Sequence, residues 1–517
     1  MAAQPEPRSI LDLVESARSI RELIQSDPHR PIFHFVAPEG YAFPFDPNGA
    51  IYWKGKYHLG FIYQKRPTKD FTFDSGHVWG HAVSTDLLHW TLYPDMLNFT
   101  EGDREKGIFS GGAFLSKEGT PHLIYHGFGT GANLLACAAD DDLKLWTKLT
   151  TPALKEDSPP NESFSVFDPC AWYDRASDYY YQISGGMKPG LFKSRDLREW
   201  EYLGNAVSGE NRMRYEFEDV ACPAFFPVGD KWMLLFISHT LGAQYYVGDF
   251  ADDRFTPERH GRMTWPGGSF FSIEHLTDAR GRNIVWGWIT QHNKPAHLPD
   301  YGWSGIMSLP RVVSLDDTGV VRIDPPEEIE TIRLQETRER DLVLQPDTET
   351  TLRTRGRSLE LKIEIAGGKS TTPFGIKVFA SPDGREQTVI RYEPAQQQVV
   401  VDFVKSSVAA PVSVPAFLFG KEVQPGFHPD TDPAHRAFVE RVSAQRAPLQ
   451  LADGESLILD VFLDRCVIEV FANGRQAVTQ LVYPELESST QIKVFSGNQP
   501  VAVRNIQSWM LAETNAY

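Results

Sequence analysis

The chain has 517 residues and a mass of 58.3 kDa, and its 51 lysines and arginines stand against 68 aspartates and glutamates, a formal net charge of −17. So anionic a surface repels phosphate backbones and anionic lipid, which argues against nucleic-acid and membrane partners. No stretch approaches the run of about 18 apolar residues that a membrane-spanning helix needs. Aromatics make up 12% beside 40 glycines and 36 prolines, a mix that favours short strands, tight turns and a site that grips a flat apolar face such as a sugar ring. The four cysteines (Cys137, Cys170, Cys222 and Cys466) lie far apart, and their spacing indicates neither a zinc site nor a disulfide framework.

Residues 1–31 predict a short N-terminal helical arm. Ser9 and Asp12 form a capping box, and Ile10, Val14, Ala17, Ile20 and Ile24 recur at helical spacing. Pro28 and Pro31 end the helix, which is expected to pack against the body of the protein. The segment has no continuous apolar core of the kind a signal peptide carries.

From residue 32 an internal repeat takes over. Asp86-Leu-Leu-His-Trp90 returns as Asp142-Leu-Lys-Leu-Trp146 and as Asp196-Leu-Arg-Glu-Trp200, at steps of 56 and 54 residues, with a worn copy at Asp252–Phe255. Between these lie aromatic and β-branched runs that read as strands: Tyr57–Gln64, Pro121–Phe128, Tyr179–Gly186, Lys231–His239 and Asn283–Gln291. Repeats of this length with several strands per unit predict a β-propeller, here five-bladed and spanning residues 32–335.

Beyond it, residues 336–517 change to plain alternating strands such as Leu359–Ile365, Phe374–Ala380, Gln398–Phe403, Ser456–Leu463, Cys466–Phe471 and Ile492–Ser496, with turn signals at Pro382-Asp-Gly384 and Asn473-Gly474. The fold class is therefore all-β, a propeller followed by a β-sandwich, with residues 404–450 expected to be a long loop.

The repeat also brings chemistry into register. Asp46 and Asp168 each lie 11 residues before an aromatic run, and Glu218 and Asp219 lie 13 and 12 before the fourth. Blade two has Phe109-Ser110-Gly111-Gly112 at this point and blade five has Phe270-Phe271-Ser272. Three carboxylates from distant sequence thus converge on one funnel. Crowded carboxylates repel, so one stays protonated near neutral pH while another remains ionised. An acid and an anion flanking one bond is what retaining glycoside cleavage requires, and a third carboxylate can hold ring hydroxyls and steady an oxocarbenium-like transition state. His77 and His81 lie four apart in a strand-rich segment, where that spacing does not aim both at one metal, so no metal is expected.

Phe45-Asp-Pro-Asn-Gly49, Tyr63-Gln64, the run from Trp79 to Trp90, Phe109-Ser-Gly-Gly112, Phe167-Asp-Pro169, Cys222-Pro223, Trp286-Gly-Trp288 and Ser308-Leu-Pro-Arg311 together resemble glycoside hydrolase family 32, the family of invertases, levanases, inulinases and fructosyltransferases. Phe462–Gly474 is similar to that family's C-terminal sandwich signature. The resemblance implies retaining chemistry on β-linked fructofuranosyl units without metal or cofactor. It implies Asp46 as nucleophile, Asp168 as transition-state stabiliser and Glu218 as acid/base, with Asp219 the other candidate for that last role. Phe45, Asn48, Gln64, Trp79, Phe109, Ser110, Phe167 and Asp219 would line the substrate pocket. The expected partner is a fructan or fructo-oligosaccharide. The chain is expected to be soluble, and the mature form of a secreted bacterial enzyme fits its N-terminus.

This chain departs from the family pattern in three places. Phe43-Pro44-Phe45 replaces the usual Trp-Met-Asn before Asp-Pro-Asn-Gly, and Phe167 replaces the usual arginine before Asp-Pro. Glu-Cys-Pro becomes Glu218-Asp-Val-Ala-Cys-Pro223, so strict register would put Ala221 at the catalytic acid; the 50 residues between Asp168 and Glu218 favour Glu218. Aromatic groups where donors normally grip the sugar make a drier pocket, which disfavours water as acceptor. Together with residues 34–49, this resembles the levan fructotransferase subgroup, which closes terminal difructosyl units of β-2,6-linked fructan into a cyclic difructose dianhydride. Two other readings stay open: an ordinary fructan or sucrose hydrolase, and a non-catalytic fructan-binding protein.

Overall fold

A computed structural model describes residues 9–65, 76–155, 163–207, 218–366, 370–417, 431, 433–436 and 439–515. It opens on helix α1 (Ile10–Gln25), whose start carries the expected reciprocal cap: Asp12 N–H donates to Ser9 Oγ and Ser9 N–H to Asp12 Oδ2, each at 3.1 Å. The packing expected of α1 is met only at its far end. Ile24 is buried, whereas Ile10 is 79% exposed and Val14 52%. The Arg21–Glu39 ion pair and Ile24 fasten the last turns, and the rest projects. No helix among the described residues is long and apolar enough to cross a membrane.

Five antiparallel sheets follow among the described residues, each made of consecutive strands. Their first strands are β1 (Ala42–Trp53), β2 (Ile108–Leu115), β3 (Pro169–Asp174), β4 (Ala221–Val228) and β5 (Phe270–Thr277). Each touches the next and β5 touches β1, so these strands close a ring and are the innermost of a β-propeller. The aromatic runs form the second strand of each blade, as in Lys56–Gln64 and Lys231–Ser238. The Asp-Leu-x-x-Trp repeat is a turn. Leu87, Leu143 and Leu197 adopt φ of 68°, 56° and 63°, and Asp86 Oδ1 accepts from the N–H groups of Leu88 and His89. An aspartate that ties down its own turn offsets the left-handed leucine, whose side chain is buried as the repeat's apolar plug.

The seam between the last blade and the first has its own fastening. Glu274 on β5 is 6% exposed, and burial pushes its carboxyl up to about 8 against the pull of the N–H groups of His275, Gly49 and Ala50. Two of those N–H groups belong to β1.

The C-terminal part packs two six-stranded sheets face to face, with strands such as Ser358–Ala366, Phe374–Ala380 and Leu457–Asp464 alternating inward aliphatic and outward polar residues. One expectation is corrected here. Residues 444–448, placed in a loop, form the edge strand that pairs with Gln398–Asp402, and Val414–Pro415 pairs with Arg441–Val442. Alanine, glutamine, arginine and proline carry little strand preference of their own, so backbone pairing at the sheet edge decides the conformation. Residues 418–430 lie outside the described residues.

Propeller and sandwich share a core in which Phe226, Phe271 and Ile323 meet Phe462, Phe471 and Leu511. A buried polar clamp crosses the same junction. Asp464 accepts from the N–H groups of Ile32, Phe33 and His34 and from His34 Nδ1, all at 2.9 Å. His34 Nε2 faces Glu469 at 3.3 Å, and Glu469 also accepts from Leu309 N–H, Arg311 and Thr479.

Candidate active site

Irregular points in the ring define the site. In β1, Phe45 pairs with Ile62 and Pro47 with Phe61, so Asp46 is the extra residue of a bulge, at φ 21°. In β2 the pairing skips from Ile108 to Gly111 and leaves out Phe109 and Ser110. In β4 it skips from Ala221 to Ala224 with Cys222 at φ 45°, and in β5 from Phe271 to Ile273 with Ser272 at φ 33°. A bulge re-aims the extra side chain, and a non-glycine residue at such φ costs on the order of 1–3 kcal/mol, so three of them at one level of the ring mark a geometry kept for use. β3 needs no bulge: Asp168 precedes its first residue, and its carbonyl accepts from Gly185 N–H at 2.9 Å.

These side chains meet. Ser110 Oγ donates to Asp46 Oδ2 at 3.0 Å, and the Ser272 hydroxyl also bonds Asp46. Cys222 N–H donates to Asp168 Oδ2 at 3.1 Å, while its sulfur lies 3.7 Å from Asp168 Oδ2, 3.9 Å from Asp46 Oδ2 and 3.2 Å from Ser272 Oγ. Asp46 and Asp168 therefore flank one thiol. Asn48 is a strut: its Nδ2–H donates to the Asp46 carbonyl at 2.7 Å and its Oδ1 accepts from Gly111 N–H at 2.9 Å, tying β1 to β2. Gly49, inside β1 at φ 57°, lets the strand pass close to Trp79, because a Cβ there would stand 2.8 Å from the Trp79 ring.

Blade four supplies the remaining acids. Glu218 and Asp219 are both buried. Glu218 Oε1 accepts from Gln244 Nε2–H at 2.7 Å, and Gln244 Oε1 accepts from His260 Nε2–H at 2.9 Å. Asp219 accepts from His239 twice, from its backbone N–H at 2.9 Å and from Nδ1–H at 2.6 Å. Of the expected pocket residues, Phe45, Phe109 and Phe167 are half-buried rings. Phe45 lies 5.6 Å from His77 and 5.9 Å from Trp288, Phe109 lies 4.7 Å from His77, and Phe167 lies 5.5 Å from His126. Trp79 is wholly enclosed and spends its indole N–H on the Phe109 carbonyl at 3.2 Å, so it positions that ring. Gln64 is buried at the end of the second strand of blade one, opposite Ala42. His81 Nε2 and His58 Nδ1 share a hydrogen bond at 2.9 Å, and no group of three or more potential metal ligands gathers among the described residues.

The electrostatics follow from burial and crowding. Burial raises the Asp46 carboxyl against the hydroxyls of Ser272 and Ser110 and the charge of His239. Burial pushes Asp168 up to about 7, opposed by the Cys222 N–H and reinforced by the charges of Asp46 and Asp219. For His239 burial disfavours the imidazolium, but Asp219, then Asp168 and Asp46, outweigh it and raise its pKa above the ordinary 6.5. Asp46, Asp168 and His239 thus all hold a proton more tightly than their free counterparts do, as groups at acid/base sites often do.

Cys222, Ser272 and His239 were not among the residues expected to act. Ser272 occupies the repeat position of Asp46 and was legible there. His239 ends the fourth aromatic run as Gln64 and Gln291 end the first and fifth, a polar residue at one point of three blades.

Residues 34–325 match the glycosyl hydrolases family 32 N-terminal domain, and residues 328–510 match the family's C-terminal domain. The chain belongs to glycosyl hydrolase family 32. It is 27% identical to a levanase of Bacillus subtilis (strain 168) over 96% of this chain and 72% of that protein, and 26% identical to a fructan 6-exohydrolase of Beta vulgaris over 94% and 87%. Its fold matches fructan 1-exohydrolase IIa of Cichorium intybus at TM-score 0.78 and 22% identity, covering 94% of this chain and 98% of the other. The protein is thus a glycoside hydrolase of the fructan and sucrose hydrolase type, an all-β propeller with a β-sandwich.

One consequence concerns pH. The Ser110 hydroxyl lowers the Asp46 pKa, so Ser110→Ala is expected to raise it and to move the acid limb of kcat/KM upward. A pH–rate profile of the variant checks this, and an unmoved limb would assign that titration to another group.

Proposed function

We propose that the enzyme transfers fructosyl units of β-2,6-linked fructan with retention, and that its preferred acceptor is a hydroxyl of the same substrate. Asp46 attacks the anomeric carbon and holds the fructosyl group as an ester, Asp168 binds ring hydroxyls and steadies the oxocarbenium-like transition state, and the proton for the departing oxygen comes from blade four, where Glu218 and Asp219 stand. For this the ester carries a terminal difructosyl unit through its inner fructose, and the 6-hydroxyl of the outer fructose attacks that anomeric carbon in place of water, closing a cyclic difructose dianhydride as the ester bond breaks. The observation that carries this reading is the pair of phenylalanines next to the two aspartates. Phe45 and Phe167 directly precede Asp46 and Asp168 where the family pattern has Asn and Arg, both rings are half-buried, and apolar rings offer an attacking water no partner while stacking on a furanose face.

Incubation with levan, inulin and sucrose, followed by separation of the products, tests the proposal. A cyclic difructose from levan is expected. Free fructose or linear oligomers as the only products would replace transfer by hydrolysis, the reading that the levanase and exohydrolase relatives favour.

A further inference from the structure

Blade two reaches across to the segment that carries Asp168. Pro169 opens β3 opposite Ser184, and proline has no N–H to give a ladder, so a side chain holds the residues before it. The Ser184 hydroxyl donates between the carbonyls of Ser165 and Phe167, at 3.0 and 3.3 Å. It accepts from Phe167 N–H at 3.1 Å and from Asn133 Nδ2–H, on the third strand of blade two, at 3.0 Å. With its one proton and both lone pairs spent, this hydroxyl fixes the Asn133 amide: the NH₂ faces Ser184, and Oδ1 accepts from His126 Nδ1–H at 3.3 Å. Asn133 and Ser184 are wholly buried.

The tautomer of His126 follows. Burial holds the imidazole below its ordinary 6.5 against the pull of Asn133, so the ring is neutral near pH 7, and with the proton on Nδ1 its Nε2 carries a lone pair. The ring is half-buried, and Nε2 makes no hydrogen bond among the described residues. Two observations put it at the site. The pairing of blade two runs from Ile108–Gly127 to Gly111–Tyr125, so His126 stands opposite Phe109 and Ser110, and Ser110 bonds Asp46. Its ring also lies 5.5 Å from that of Phe167, the residue before Asp168, where the family pattern has arginine.

We infer that His126 is a substrate-binding residue of this pocket, whose Nε2 accepts a hydrogen bond from one sugar hydroxyl beside Phe167, a deepening that rests on the fructosyl transfer proposed at Asp46. A guanidinium at residue 167 could only donate, and would meet a hydroxyl through its oxygen. The imidazole meets it through its proton, while Phe167 offers the ring an apolar face. Asn133 and Ser184 are positioning residues: they hold Nδ1 and the backbone of Phe167 in one network, so the acceptor and the apolar face keep a fixed relation.

Binding separates this role from a structural one, because the two ring nitrogens can be replaced singly. In the full chain carrying Asp46→Asn, which is expected to bind without turnover, calorimetric titration measures the affinity for a β-2,6-linked fructotriose. His126→Leu is expected to weaken it about three- to tenfold. His126→Gln, whose Oε1 takes the place of Nε2, is expected to recover most of the loss, and His126→Asn, which reproduces only the Nδ1 side, little of it. In the active chain the same order is expected in KM on levan, with kcat changed less. Binding by His126→Leu equal to that of the parent, or rescue by asparagine in place of glutamine, would overturn the assignment. Should His126→Leu fail to fold, the wild type decides: diethyl pyrocarbonate is expected to carbethoxylate residue 126, read by peptide mass analysis, and the fructotriose to slow it. No modification there, or a rate that the sugar leaves unchanged, would overturn the assignment as well. Inactivity of the wild type on levan, inulin and sucrose alike would sink the fructosyl-transfer reading itself, whereas turnover and binding that ignore His126 would sink only this one.

Discussion

Asp46→Asn is expected to lower kcat/KM on fructan by at least about 10⁴-fold, roughly 5 kcal/mol of transition-state stabilisation, while the fold is retained. The amide is isosteric and keeps an oxygen for Ser110 and Ser272, so the bulge in β1 loses little. It cannot form the fructosyl ester, which removes one half of a double displacement. Because burial already raises the Asp46 carboxyl, removing the charge relieves a desolvation cost, and the melting temperature is expected to hold or rise. Acid quenching during turnover of an activated fructoside, followed by mass analysis of the peptide around residue 46, should find the ester in the wild type alone. Activity within tenfold of wild type would move the nucleophile elsewhere.

The second large effect is on stability. Asp464→Asn is expected to cost about 3–5 kcal/mol, because breaking a buried charged cluster from one side leaves the other side unpaired. Both oxygens of Asp464 accept from a segment near the start of the chain, and an amide would turn an NH₂ group toward N–H donors. The same cluster sets a pH dependence. Although burial opposes it, hydrogen bonds to Asp464 and Glu469 raise His34 from 6.5 to about 9 in the folded state. A raised pKa stabilises fully below the unfolded value, so this contribution is present below pH 6.5 and lost as pH rises through about 9. Glu469 is lowered from 4.5 to about 2, so its contribution is present above pH 4.5 and lost toward pH 2. Denaturant unfolding across this range should show wild-type stability falling on the alkaline side, with a smaller fall in the variant. Equal slopes would mean that His34 does not titrate with folding.

Much of this was readable beforehand for a physical reason. A propeller repeats one local solution, so the Asp-Leu-x-x-Trp turn and the aromatic second strand recur in the chain as they recur in space, and Asp46 and Asp168 share a register because their blades do. What the repeat could not reveal is the local backbone and side-chain geometry at those positions. The bulges at Asp46, Cys222 and Ser272 follow from pairing with a neighbouring strand, so the repeat marks the residues at those positions but not the backbone irregularity there. The pairing of Asp219 with His239, and of Glu218 with Gln244, depends on how three strands of blade four stack, which spacing from Asp168 does not report. Trp79 matched a family motif, but a motif marks the residue and not the direction its ring takes. α1 shows the opposite limit, since its apolar spacing is correct for a buried face and most of that face stays in water.

The ring of first strands carries a consequence for synthesis. Asp46 leaves the ribosome in the first blade, but Ser272, one of the two hydroxyls that bond it, arrives in the last, and the Glu274 seam closes only once β5 has been made. Every nascent chain that stops short of the fifth blade therefore holds Asp46 without the full set of groups that tune it. The arrangement around Asp46 is thus a property of the closed circle, complete only when the fifth blade joins the first.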